Sequence, residues 1–242
     1  MGLVEIIKAL EQDAHEELLL HGEIVTHKHL SRVFSQEPPL VGLVTKGRVM
    51  ETWYYGKKPI LGIDIYMEGE VFIVPRPKAY SVAYIGLELD NRVCFLSSAQ
   101  MYEPLRDNPM ANRELWELIQ KREALAAWKL IQAEIPGYES RVLKELIRLA
   151  FKSPSKQRNR FYEVKATQAQ LGLLSGVSRV NVTHTIEKLR RGKSVGGYVF
   201  RNSLIEKGEK PRATVVRFDA NDVKGYLNSL GEEGRIPDVY SL

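Results

Sequence analysis

Between Thr167 and Arg191 the chain reads TQAQLGLLSGVSRVNVTHTIEKLRR, and no other stretch restricts the fold as much. Two helical periodicities meet there at a glycine. Thr167 is placed to cap a first helix with apolar positions at Leu171 and Leu174, and Gly176 supplies the permissive backbone that a sharp turn requires. Ser178 can cap a second helix. Along it Val182, Ile186 and Leu189 recur at spacings of four and three, one stripe predicted to be buried. The opposite face carries Arg179, Asn181, Thr183, His184 and Lys188.

Two helices so related form a helix-turn-helix, whose second helix lies in the major groove of double-stranded DNA with its first residues toward the base edges. The side chains suit base recognition, since Arg pairs with guanine, Asn with adenine, and Thr offers a methyl or a hydroxyl. An ordinary helical hairpin with a solvated polar face has the same spacing, so the setting bears on the choice. The net charge of the 242 residues is +5, but it is unevenly placed. Residues 152–218 hold 15 Lys and Arg against 4 Asp and Glu, a net of +11, whereas residues 1–151 hold 18 against 21, a net of −3. The basic segment contains the helical pair, as expected where phosphates are neutralised; a merely solvated basic surface is the alternative.

A chain of this length buries one large core or two modest ones, and two domains are expected. Cys94 is the one cysteine, so the chain can form neither an internal disulfide nor a cysteine-ligated iron-sulfur cluster, and a reducing cytoplasm fits. No apolar run reaches the roughly 20 residues that span a bilayer, and the first 23 residues are amphipathic and acidic, unlike an export signal. The expectation is a chain that is not exported and has no membrane partner.

Residues 3–20 have helical spacing, with Leu3, Ile6, Ile7, Leu10, Leu18 and Leu19 on one side. After Gly22 the texture changes to short β-rich runs: GEIVTHKH, LVGLVTKGRVMETWYY, PILGIDIYMEGEVFIV, YSVAYIGLEL and RVCFL. Gly, Pro, Lys and Asp separate them, the pattern of a compact antiparallel barrel or sandwich. The chain turns helical again from Pro104. From Pro109 about 25 residues run without Gly or Pro, with Leu115, Leu118, Ile119, Leu125, Trp128 and Ile131 apolar. A helix this long either crosses its own barrel or forms a dimer interface, for which Leu115, Leu118 and Leu125 are the candidate residues. Pro136 and Gly137 end it.

The order of these parts resembles the CRP/FNR family of bacterial transcription regulators. The resemblance rests on TQAQLGLLSGVSRVNVTHTIEKLR, on LVTKGRVMETWYYGKKPILGIDIYMEGEVF and on YESRVLKELIRLA. It implies an α+β fold: an N-terminal double-stranded β-helix (jelly-roll) barrel in residues 1–108, a long dimerisation helix in 109–135, a C-terminal winged helix-turn-helix in 136–230 and a tail in 231–242. It also implies a homodimer with two recognition helices about 34 Å apart on a palindromic operator. Such regulators act by positioning or blocking RNA polymerase, the further partner implied, and the chain is read as an activator-type regulator. Carried over by position, Arg179 and His184 make base or phosphate contacts, and Thr167, Gln168 and Ser178 hold phosphates. Val180 stands where the family often has Glu, and can touch only a thymine methyl.

Cyclic-nucleotide binders of the family use a Gly-Glu pair and an Arg-Ser pair. Here Val74 and Pro75 replace the first, and Tyr80 precedes Ser81 in the second, so cyclic AMP control is not expected. The candidate effector-pocket residues are Glu70, Arg76, Lys78, Tyr80 and Ser81, with the effector and any cofactor left open. His15, His21, His27 and His29 cluster in the sequence, but no Cys, Asp or Glu spacing completes a metal site. The wing is read as SLIEK, a GEKPR turn and ATVVRF, placing Lys207, Lys210 and Arg212 near the DNA backbone, while residues 192–202 are an extra loop. No nucleophile and base pair, phosphate loop or paired carboxylates stand out, so an enzyme is not expected. A ligand-binding or scaffolding barrel with a nonspecific nucleic-acid-binding region is the alternative.

Overall fold

The computed structural model describes residues 2–10, 16–19, 24–26, 39–75, 81–88, 90–134, 137–152, 161–190, 194–195, 198–199, 204–207, 214–219, 223 and 225. The chain divides into two compact units, Met1–Ala126 and Ala127–Leu242.

The first unit opens with α1 (Leu3–Leu10) and continues through eight strands. These are β1 (Glu16–Leu19), β2 (Ile24–Thr26), β3 (Pro39–Lys46), β4 (Arg48–Tyr55), β5 (Lys58–Met67), β6 (Val71–Ile73), β7 (Ser81–Gly86) and β8 (Arg92–Ser97). They form two antiparallel four-stranded sheets, ordered β1-β8-β3-β6 and β2-β7-β4-β5. Strand β8 shows how one strand serves two cores. Val93 and Phe95 join Val44, Val49, Tyr66, Phe72, Val82 and Tyr84 between the sheets, while Cys94 and Leu96 point to the other face. That follows from the two-residue period of a strand.

The second face is covered by helices. Leu3, Ile6 and Ile7 of α1, Met101 of α2 (Ser98–Arg106), and Ala111 and Leu115 of α3 (Pro109–Glu134) pack there with Val41, Leu43, Val71, Cys94 and Leu96. Glu114 accepts a 2.6 Å hydrogen bond from the Leu3 amide, satisfying one orphan donor at the start of α1. Gly42 lies opposite Phe72, and a Cβ there would come within 2.3 Å of the phenyl ring, so the ring requires glycine beneath it.

Several expectations from the sequence are corrected. Helix α1 is described over Leu3–Leu10, and Leu18 and Leu19, expected on the same helix, belong to β1, where the edge of β8 takes them as partners. Helix α2 begins at Ser98, ahead of Pro104, because Ser97 and Gln100 form a reciprocal capping box; Pro104 lies inside it. Of the candidate dimerisation residues, whose role is a separate matter, Leu115 lies in the helix-covered core, Leu118 packs against it, and Leu125 is buried. The large apolar side chains that α3 leaves exposed are Met110, Trp116, Leu130 and Ile131.

In the second unit, α4 (Tyr138–Lys152) buries Val142, Leu143, Leu146, Ile147, Leu149 and Ala150 and packs against α5 (Gln168–Ser175), α6 (Arg179–Arg190) and β9 (Phe161–Lys165). Strand β9, unexpected from the sequence, pairs with β13 (Thr214–Asp219), which also pairs with β12 (Leu204–Lys207). Residues 192–202, expected to be a loop, contain β10 (Ser194–Val195) paired with β11 (Tyr198–Val199). Between these two strands the sequence has Gly196 and Gly197, a dipeptide that favours a hairpin. Among the described residues no helix is long and apolar enough to cross a membrane, and no cluster of His, Cys, Asp or Glu could hold a metal. The four clustered histidines, His15, His21, His27 and His29, lie outside the described residues.

Candidate nucleic-acid interface

Helix α5 starts at a full capping box: Thr167 Oγ1 accepts from the Gln170 amide at 3.2 Å, and Gln170 Oε1 accepts from the Thr167 amide at 2.7 Å. It ends at Gly176, whose left-handed backbone (φ 63°, ψ 34°) suits glycine. The turn is tight. The Val177 amide donates to the Gly172 carbonyl at 2.9 Å, and a Cβ on Gly172 would lie 2.9 Å from the Val177 carbonyl oxygen. Ser178 Oγ then accepts from the Asn181 amide at 3.2 Å and starts α6.

Val182, Ile186 and Leu189 are 0%, 1% and 2% exposed, the stripe read from the sequence. The helix therefore turns its other face outward. Ser178, Arg179, Val180 and His184 are exposed, Val180 by 60%, and Asn181 is half-buried. The rest of the expected contact set is engaged within the chain. Thr183 Oγ1 lies 2.8 Å from Gln168 Oε1, to which it donates, tying α6 to α5. Lys188 pairs with Glu139 of α4. Thr167 is occupied as a cap. Lys210 and Arg212 lie outside the described residues, whereas Lys207 is the last residue of β12.

Nothing in the sequence marks the group that holds this pair of helices in place. Lys129, near the end of α3, is 3% exposed; its ammonium lies 2.6 Å from Glu145 Oε2 and also donates to the Leu174 carbonyl in the last turn of α5. A cation suits the negative end of a helix. Arg148 donates to Glu145 Oε1 through Nε at 2.9 Å and through Nη2, so Glu145 is shared by two buried cations.

Of the five expected effector residues, Glu70 and Ser81 lie within the described residues. Glu70 Oε2 accepts from the Met67 amide at 2.7 Å and closes the β5–β6 turn, Ser81 opens β7, and Arg76, Lys78 and Tyr80 lie outside the described residues.

Paired antiparallel sheets, a long helix and a helix-turn-helix, in that order, make a CRP/FNR-like fold. The solved structures to which the chain is similar include a CooA variant from Carboxydothermus hydrogenoformans, at 15% identity and TM-score 0.67 over 93% of this chain and 95% of that one. FixK2 from Bradyrhizobium japonicum is 13% identical, with TM-score 0.61 over 87% and 96%. A regulator described as crp/fnr family from Eubacterium rectale is 13% identical, with TM-score 0.55 over 92% and 94%. No family model and no curated protein matches the chain.

Proposed function

We propose that the chain is a sequence-specific DNA-binding transcription regulator that acts as a homodimer on a palindromic operator, independently of cyclic AMP. The carrying observation is the outward face of α6. Arg179, Val180 and His184 are exposed beside a turn fixed by Gly172 and Gly176, within a segment of net charge +11. Arg179 and Asn181 supply hydrogen bonds to base edges and Val180 an apolar contact to a thymine methyl. The β12–β13 hairpin serves as the wing, and double-stranded DNA and RNA polymerase are the partners.

The dimer is better carried by residues other than Leu115, Leu118 and Leu125. On α3 the large apolar side chains Trp116, Leu130 and Ile131 are exposed, with Ala127 on the same face by helical spacing, and they form the dimer seam proposed here.

The test is selection of binding sites from a random duplex library with purified protein. A two-fold symmetric motif supports the proposal, and recovery of no motif in buffer or in cell extract defeats it. Arg179→Ala should lose about 1–3 kcal/mol on the selected site and little on random DNA. A uniform, salt-sensitive loss on all sequences would indicate nonspecific binding instead. Calorimetry with cyclic AMP should show no saturable binding.

A further inference from the structure

A side-chain bond joins the two helices of the helix-turn-helix. Thr183, one turn into α6, has its Oγ1 2.8 Å from Oε1 of Gln168, the first residue of α5, and 3.0 Å from the Arg179 carbonyl. A hydroxyl has one proton, so it serves one of these acceptors at a time. The Arg179 carbonyl lies within the hydrogen-bond ladder of α6. The Gln168 oxygen has no other donor among the described residues, and the proton goes there.

Gln168 is thereby held at both ends. The capping box of Thr167 and Gln170 fixes its backbone, and Thr183 fixes its amide oxygen. Both Gln168 and Thr183 are half-buried. The NH2 group of a carboxamide diverges from its oxygen, so an oxygen turned toward α6 leaves two N–H donors facing away from it. Among the described residues Gln168 Nε2 donates to nothing. In a helix-turn-helix the first helix crosses the DNA backbone, and glutamine is one of the side chains that donate to phosphate oxygens.

We propose that Thr183 is a positioning residue for DNA binding: it orients the Gln168 carboxamide so that Nε2 donates to a phosphate oxygen, and the two side chains act as one preformed contact. This rests on the function proposed above and deepens it. Thr183 reads no base, because its proton is committed to Gln168. Its contribution is to spare Gln168 the loss of rotamer freedom that a loose side chain undergoes on binding. The contact carries no sequence information, and being neutral it releases no counterion beyond those displaced by lysine and arginine.

The test is a double-mutant cycle on the full chain, titrated across a salt series against the selected site and against a random duplex. Gln168→Ala should weaken both duplexes equally, by about tenfold, with the salt slope unchanged. Thr183→Val keeps the methyl and loses the hydroxyl, and should weaken both by about threefold. Thr183→Ser keeps the hydroxyl and should bind as the parent does. In the Gln168→Ala background, Thr183→Val should add less than about a twofold loss. In the isotope-labelled chain without DNA, the Gln168 side-chain N–H signals should move in Thr183→Val and stay in place in Thr183→Ser. The inference is overturned if Thr183→Val binds as the parent does, if its loss is as large in the Gln168→Ala background, or if the loss is confined to the selected site. A parent chain that binds neither duplex defeats the function proposed above together with this inference; one that binds both, with Thr183→Val unchanged, defeats this inference alone.

Discussion

Tyr84 and Tyr66 illustrate how single side chains inside the sheet core respond to pH. Burial, followed by the charge of Glu51, pushes both phenols well above their ordinary range. In the unfolded chain they ionise near about pH 10. The stability contributed by keeping them neutral is therefore complete below that value and is lost as pH rises toward the folded-state pKa, by about 1.4 kcal/mol per pH unit for each tyrosine. Denaturant titrations between about pH 9 and 11 should show the decline. Tyr84→Phe should reduce its slope by about half and add about 1 kcal/mol at neutral pH by removing a buried hydroxyl that has no hydrogen-bond partner among the described residues. The buried group of Glu51, Tyr84 and Asp64 was not legible in the sequence: Glu51 sits in METWYY as an ordinary polar residue, and only strand register sets it beside Tyr84 and Asp64.

Among the elements, the helix-turn-helix depends on a close approach and a buried cation. Gly172→Ala forces a methyl against the Val177 carbonyl, part of the backbone. It should cost about 1–3 kcal/mol and lower DNA affinity, measured by melting and by titration on the selected site. Lys129→Met removes the donor to Leu174 and one of the two cations on Glu145. It should destabilise the chain by about 1–3 kcal/mol, because Glu145 keeps Arg148 but one of its oxygens and the Leu174 carbonyl lose a buried donor, and denaturant unfolding is the measure. Of this region the sequence showed the caps Thr167 and Ser178, the turn at Gly176 and the stripe on α6, all set by residues within one or two turns. It did not show Lys129, Glu145 or the Thr183–Gln168 bond, whose partners are brought together by packing.

For the molecule as a whole, the seam proposed on α3 makes the proposed dimer testable. Trp116→Glu puts a charge in place of the largest exposed apolar side chain of that seam and should convert the proposed dimer to a monomer, measured by sedimentation at micromolar concentration. Its DNA affinity should fall with it, since one recognition helix then acts alone. If Trp116→Glu stays dimeric, the seam lies elsewhere. DNA affinity of the parent chain should fall linearly with salt on logarithmic axes, with a slope of about −0.9 per phosphate neutralised.

Local order along the chain is enough to set the β-rich first half, the long helix, the helical pair and the placement of positive charge. These are short-range properties, fixed by periodicity, capping and composition. Which apolar residues of α3 face inward depends on packing, because the helix carries apolar residues on more than one side. The core of the first unit claims Leu115 and Leu118 and leaves Trp116 outside. The same holds for β1, taken from an expected helix to pair with β8, and for the buried Glu51 and Glu145. A carboxylate has the same letter in water and in a core, and only the fold supplies the cations and hydroxyls that distinguish them.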